Sequence, residues 1–160
     1  MSVRLVGKIE ELLPKGARVL DAGCGEGGLV KVLNASGFHA EGFDITLVEN
    51  EEHRFLKHDL NDCPFPYGDG EFDAVVASFS FRHVKEENTA KAIYELGRVT
   101  KNGGLIFIYD TERLIADRVM SFLPWHYFFW ERYGNDWQDW FRPLKRSLMI
   151  IQKNYEGGVK

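Results

Sequence analysis

Apolar runs alternate with amphipathic stretches along most of this chain. Uninterrupted apolar runs of about four to eight residues predict buried strands, and apolar residues spaced three or four apart predict helices. On this basis strands are predicted at 18–21, 39–44, 54–57, 72–78, 105–110 and 147–153, and helices at 3–13, 28–36, 86–100 and 113–123. Strands and helices in alternation predict an α/β domain with a doubly wound, Rossmann-like and mostly parallel sheet.

Two stretches depart from a full doubly wound pattern. Residues 46–53 are few and acidic, so we expect the second crossover helix to be trimmed. The part after residue 112 is short and aromatic, so we expect one terminal strand and a truncated sheet edge. We expect residues 1–160 to form one domain, with a leading helix at 1–17, a core at 18–112 and an aromatic-rich C-terminal segment at 113–160.

Charge and cysteine content limit the partners of the chain. A net charge of −4 gives no general attraction to nucleic acid. Cys24 and Cys63 lack metal-ligand spacing, so we expect no metal and a reduced, cytoplasmic protein. We expect no membrane association, because no apolar run approaches the ~20 residues that span a bilayer.

The strand predicted at 18–21 runs into a glycine-rich turn that is followed by a helix. This arrangement brings bare backbone and helix N–H groups close to a nucleotide-like ligand. Gly23, Gly25 and Gly28 fit the G-x-G-x-x-G dinucleotide fingerprint, with Asp44 as the ribose-binding acid. Starting instead from Asp21, the same turn fits an acidic-x-G-x-G-x-G pattern. The turn alone leaves a nicotinamide cofactor and S-adenosylmethionine both open.

Four separated segments resemble one family in order and spacing. They are 21–27 (DAGCGEG), 42–45 (GFDI), 58–73 with HDL and PFPYGDGEFD, and 95–104 (ELGRVTKNGG). Together they resemble the small class I S-adenosylmethionine-dependent methyltransferases of the type-11 domain group, over roughly residues 20–110. The resemblance implies the class I methyltransferase fold, S-adenosylmethionine as cofactor and methyl transfer as the activity.

The resemblance also implies roles for individual residues. It places the ribose hydroxyls on Asp44, the adenine amine on Asp59, and the methionine end near Asp21 and Ser78. A competing interpretation of Asp59 is an Asx turn before Asn61. The complete set of cofactor-binding residues that the resemblance implies is Asp21, Ala22, Gly23, Cys24, Gly25, Gly27, Asp44, Ile45, Asp59, Leu60 and Ser78.

The acceptor is expected to enter on the side of Ser80, His83 and Asp110. His83 and Asp110 are the candidate catalytic bases, because each could take a proton from an attacking nucleophile. Positioning alone can supply much of the acceleration in an in-line methyl transfer, so a base is optional. A small-molecule acceptor is expected.

Residues 125–141 hold all four tryptophans and allow three interpretations. The segment could be a lid over the acceptor, a surface for a homodimer or protein partner, or a plain cover for the sheet. The second interpretation leads to the alternative function, a non-catalytic cofactor-binding or scaffold subunit.

Overall fold

The computed structural model describes residues 3–46, 54–111, 114, 119, 128–131 and 146–153. The trimmed crossover at 46–53 lies outside the described residues except for Thr46. Most of the helix predicted at 113–123 and most of the aromatic segment 125–141 also lie outside them.

Three helices and seven strands make up the described chain. They are α1 Val3–Leu12, β1 Arg18–Ala22, α2 Gly28–Ala35, β2 His39–Asp44, β3 Phe55–Lys57, β4 Phe72–Ser78, α3 Thr89–Val99, β5 Thr100–Thr111, β6 Phe128–Glu131 and β7 Arg146–Gln152. Two short 3-10 helices, Phe81–His83 and Glu86–Asn88, lie between β4 and α3. Among the helices in these ranges, none has the length and apolar character needed to cross a membrane.

All seven strands join one sheet in the order β3-β2-β1-β4-β5-β7-β6. The pairs from β3 to β5 are parallel, and β7 runs antiparallel between β5 and β6. The strand order reverses between β1 and β4, which opens a crevice at their carboxyl ends. The predicted doubly wound, mostly parallel sheet is confirmed.

Two strands differ from the prediction. We expected one terminal strand and a truncated edge, but β6 extends the sheet by pairing with β7. The prediction of a single terminal strand is therefore wrong.

β5 begins at Thr100 rather than 105, because the residues between Thr100 and Leu105 form a bulge opposite Phe72–Ala74 instead of a separate turn. Within that bulge Gly103 has a φ of 78° and donates its N–H to the Lys153 carbonyl at 2.6 Å.

Hydrophobic clusters cover both faces of the sheet. On one face α3 packs Ala92 and Leu96 against side chains such as Val75 from the central strands. The other face carries α1 and α2, with side chains such as Ile9 and Leu33 fully buried. Because both faces are covered, ligands can reach the sheet only along its edges and ends.

Candidate cofactor site

A cleft of about 490 Å³ opens at the carboxyl ends of the four strands β1 to β4. Parallel strands bring the residues that follow them to one end of the sheet, so segments distant in sequence meet here. The lining residues are Gly23, Cys24, Gly25, Asp44, Ile45, Thr46, His58, Asp59, Leu60, Asn61, Ser78, Phe79, Ser80 and His83. Eight of the eleven predicted cofactor-binding residues are in this set; Asp21, Ala22 and Gly27 are not.

The three glycines of the turn serve different purposes, although all have positive φ. A Cβ on Gly25 would meet no atom within 4 Å, so this position leaves open space at the cleft. A Cβ on Gly23 would lie 2.5 Å from the Cβ of Ser80. A Cβ on Gly27 would collide with the Phe55 ring, and its N–H is already donated to the Cys24 carbonyl at 2.9 Å. Gly27 is thus required by the turn itself.

Asp44 ties the end of β2 to the glycine turn. Its Oδ2 accepts the Gly25 N–H at 2.9 Å, and its Oδ1 accepts the N–H and hydroxyl of Thr46 at 2.9 and 2.7 Å. Partial burial by itself would raise the pKa of Asp44, but these hydrogen bonds lower it. The carboxylate is therefore ionised at neutral pH, and each of its oxygens keeps lone-pair capacity for further donors.

Asp59 forms the Asx turn that was one of its two interpretations. Its Oδ1 accepts the backbone N–H and the side-chain amide of Asn61, both at 2.9 Å. The same Asn61 donates to the His83 carbonyl at 3.2 Å and accepts the Lys85 N–H at 2.8 Å. Asn61 therefore links the loop after β3 to the segment after β4, a role that the sequence analysis missed.

Two polar atoms near the glycine turn are buried and have no hydrogen-bond partner among the described residues. They are Oδ1 of Asp21, whose side chain is nearly fully buried, and the hydroxyl of Ser80. Burial, followed by the charge of Asp44, raises the pKa of Asp21 to about 7. Burial, followed by the charges of Asp21 and Asp44, raises the pKa of the Cys24 thiol, so this cysteine stays protonated. Buried polar groups without partners indicate where a polar ligand binds.

The two predicted catalytic bases lie in different surroundings. His83 lines the cleft together with Ser78 and Ser80. Asp110 is 1% exposed and is absent from the cleft lining. Its Oδ1 accepts from the Arg82 guanidinium at 3.2 Å and from the Thr111 N–H at 2.8 Å, while its Oδ2 is buried and has no partner within the described ranges.

Comparison with protein families confirms the class to which this fold and cleft belong. A family model described as a methyltransferase domain matches residues 1–146. The chain therefore belongs to this methyltransferase-domain family. Membership confirms the predicted S-adenosylmethionine-dependent methyltransferase family and its cofactor.

Individual relatives agree with this assignment. The chain is 37% identical over 105 residues to a demethylmenaquinone methyltransferase from Clavibacter sepedonicus, which covers 59% of this chain and 41% of that protein. It spans less than half the length of the curated relatives that it matches.

Two solved structures share the fold. One is the Burkholderia thailandensis 1,6-didemethyltoxoflavin-N1-methyltransferase with bound 1,6-didemethyltoxoflavin and S-adenosylhomocysteine. It has a TM-score of 0.75 and 14% identity, over 96% of this chain and 78% of that one. The other is a Haloferax volcanii methyltransferase in complex with the Trm112 methyltransferase activator. It has a TM-score of 0.66 and 14% identity, over 95% and 94%.

The hydrogen-bond acceptors around the cleft fit S-adenosylmethionine. The ligand carries ribose hydroxyls, an adenine amine, an ammonium and a sulfonium, so it needs hydrogen-bond acceptors and negative charge. Asp44 and Asp59 offer carboxylates in the cleft, and beside the turn Asp21 has a buried oxygen without a partner within the described ranges. The exposed Ile45, at 55% relative exposure, offers an apolar surface for a ring.

Proposed function

We propose that this chain transfers the methyl group of S-adenosylmethionine to a small-molecule acceptor. The observation that carries the proposal is the joining of three features in one cleft. These are the open backbone at Gly25, the ionised Asp44 carboxylate bonded to it, and the Ser80 hydroxyl beyond Gly23, which has no hydrogen-bond partner in the described part of the chain. A ligand with hydroxyl groups at one end and a charged group at the other would satisfy all three.

For the cofactor, we assign the ribose hydroxyls to Asp44 and the adenine to Ile45, Asp59 and Leu60. The Asx turn uses Oδ1 of Asp59, so the adenine amine would meet the other carboxylate oxygen. The methionine end would lie along the backbone of the glycine turn, residues 22–25, and reach toward Ser78. Asp21 would accept from the ammonium near this end, and Gly27 would support the turn from behind.

On the acceptor side, the chain's own residues orient the acceptor and receive its proton. When bound, S-adenosylmethionine supplies a methyl group on a positively charged sulfur; the acceptor's electron pair forms the new bond while the sulfur–carbon pair returns to sulfur. We propose His83 as the base, since it lines the cleft. Asp110 is the second candidate, and its buried Oδ2 is the oxygen free of described partners that would take the proton.

A small molecule is the proposed acceptor class. The Burkholderia thailandensis neighbour holds a small bound acceptor, and the net charge of −4 does not favour a nucleic acid. The Haloferax volcanii neighbour is bound to an activator protein. By analogy, we propose as a second element that residues 125–141 bind a protein partner or a second copy of the chain.

We also propose that residues 1–160 form one domain.

A reducing, cytoplasmic location is part of the proposal. Both cysteines are free thiols, and Cys24 lies within the cofactor cleft itself. Free thiols persist in the reducing cytoplasm, whereas oxidising compartments favour disulfides.

Calorimetric titration of the full chain with S-adenosylmethionine and S-adenosylhomocysteine tests the proposal. We expect both to bind, Asp44→Ala to abolish binding, and the exposed-acid variant Glu26→Gln to bind as the wild type does. Absence of binding at millimolar concentration would overturn the proposal. Binding of both ligands, with no S-adenosylhomocysteine formed across a broad acceptor panel, would instead favour the scaffold alternative.

A further inference from the structure

Beyond the cofactor cleft, one arginine is presented at the acceptor side. Arg82 lies in the 3-10 helix Phe81–His83 that follows β4, between the cleft-lining residues Ser80 and His83. Its side chain is 42% exposed. Arg82 lies outside the four sequence segments that carry the family resemblance.

The Arg82 guanidinium is held from two sides. Its Nη2 lies 3.2 Å from Oδ1 of Asp110, and its central carbon lies 4.7 Å from the centroid of the Phe79 ring. Asp110 is the penultimate residue of β5 and Phe79 follows β4, so the guanidinium lies at the carboxyl ends of both strands. An arginine fixed in this way loses less side-chain entropy when it binds a ligand.

Phe79 adopts an unusual conformation to form its side of this arrangement. Its φ is 55°, in the left-handed region that costs a residue with a Cβ about 1 kcal/mol or more. The Tyr109 carbonyl accepts the Phe79 N–H at 2.8 Å, and the two rings meet edge to face at 5.0 Å. Backbone strain of this kind concentrates at functional sites.

The charges in the cleft and beside it have opposite signs. The cofactor side carries the carboxylates of Asp44 and Asp59, which suit a cationic ligand. Arg82 and Asp110 are not among the cleft-lining residues, but they adjoin the lining residue Phe79. Oδ1 of the buried Asp110 accepts from Arg82 and from the Thr111 N–H, whereas the Arg82 side chain is 42% exposed. Among the described residues, the hydrogen bond to Asp110 uses one of its five N–H donors, so an incoming acceptor meets unused donors and positive charge.

We infer that Arg82 binds an ionised oxygen of the methyl acceptor, so that the acceptor is an anion, either a carboxylate or a phenolate or enolate. This inference rests on the proposed function and names its substrate class. A guanidinium donates hydrogen bonds to each of these oxygens, and the interaction with a charged acceptor atom is stronger than with a neutral one. Arg82 also stabilises the deprotonated form of the acceptor, which reduces the need for a base.

The test is calorimetry on the full chain saturated with S-adenosylhomocysteine. Three probes are titrated at a pH where the acids are ionised: benzoate, 4-nitrophenolate and the neutral isostere benzamide. We expect one or both anions to bind more tightly than benzamide, and the tighter anion separates a carboxylate acceptor from a phenolate. Equal or tighter binding of benzamide by the wild type would overturn the inference.

Variants assign the preference to Arg82. Arg82→Gln should weaken anion binding about 10- to 100-fold and leave benzamide unchanged, because it removes a charge-assisted hydrogen bond. Arg82→Lys should fold with the charge retained and lose part of the effect, and Arg4→Gln on α1 is the control for loss of one positive charge. An undiminished anion preference in both Arg82 variants would refute the assignment.

Failure of this inference is separable from failure of the proposed function. S-adenosylhomocysteine affinity is measured first in every protein. If the wild type does not bind it, the proposed function fails; if it binds while the anion preference is absent, only the inference about Arg82 fails.

Discussion

Asp44 combines two tasks in one side chain, because it anchors the glycine turn and faces the cleft. We predict that Asp44→Asn lowers the affinity for S-adenosylhomocysteine about 10- to 100-fold, since an amide accepts less strongly and repels the Gly25 N–H with its own donors. Isothermal calorimetry measures the change. Glu26→Gln, an exposed acid in the same turn, is the matched control, and equal losses in both variants would contradict a specific role for Asp44.

Asp21 makes stability depend on pH. Burial, reinforced by Asp44, raises its pKa from 3.8 to about 7, so the folded protein holds a proton that the unfolded chain releases above pH 3.8. Stability from this group is complete below the unfolded pKa and is lost progressively as pH rises through about 7, by up to roughly 4 kcal/mol.

Asp21→Asn should remove this dependence, because an amide cannot ionise in the buried site. We expect the variant to gain stability over the wild type as pH rises from about 5 to about 8. Urea denaturation at both pH values measures the gain, with Glu26→Gln as the control. A stability difference that stays constant across this range would show that Asp21 does not titrate there.

At the scale of elements, the turn between β1 and α2 separates ligand binding from folding. Gly25→Ala places a methyl group in open space at the cleft, so we predict a large loss of S-adenosylhomocysteine affinity with a stability loss of about 1 kcal/mol from the positive φ. Gly27→Ala drives its methyl into the Phe55 ring and should cost more stability. Thermal melts measure the stability of both variants, and calorimetry measures their affinity for S-adenosylhomocysteine. A larger stability loss in Gly25→Ala than in Gly27→Ala would contradict these roles.

A second element-level feature ties α3 to the loop before β4. Arg98 donates to the buried Glu95 at 2.6 Å and to the carbonyls of Phe65 and Tyr67 at 3.1 and 2.9 Å. Arg98→Met leaves the Glu95 carboxylate without its ion pair, so we predict a destabilisation of about 3–5 kcal/mol. Chemical denaturation tests this against Lys91→Met on the same helix. A loss below about 1 kcal/mol, as for a surface ion pair, would disprove it.

Strands with local sequence signals were predicted correctly, and a strand defined by a distant pairing was missed. β2 and β4 lie at the predicted residues, because their apolar composition and flanking turns are local signals. β6 was missed, because its four residues lie in an aromatic segment without alternation and, among the strands that the structure describes, pair with the distant β7.

The residues of the candidate site also fall into those that the sequence predicted and those that it did not. Gly23, Gly25 and Asp44 were found from a motif with fixed spacing. Asn61 and Arg82 were not, because their contacts arise from the approach of loops about 20 or more residues apart in sequence. Side chains that act by joining separate loops leave no local pattern to detect.

Over the whole molecule, the cleft joins segments that follow four different strands, β1 to β4. A ligand held by all of them should therefore stabilise the folded state as a unit. At a ligand concentration about 100 times the dissociation constant, the gain is about 2.7 kcal/mol. For a chain of this size, that gain corresponds to a rise in Tm of about 5–10 °C.

This whole-molecule response also separates the two cofactors that the glycine turn alone left open. We predict the full rise in Tm with S-adenosylhomocysteine and none with NADH, because the pyrophosphate of NADH would bring two negative charges to a cleft that already holds the carboxylates of Asp44 and Asp59. Differential scanning calorimetry measures both, and Asp44→Asn should reduce the S-adenosylhomocysteine shift at the same ligand concentration. A comparable rise with NADH would mean that the cleft recognises the adenosine alone, and the assignment of its methionine end to Asp21 and Ser78 would then lose its support.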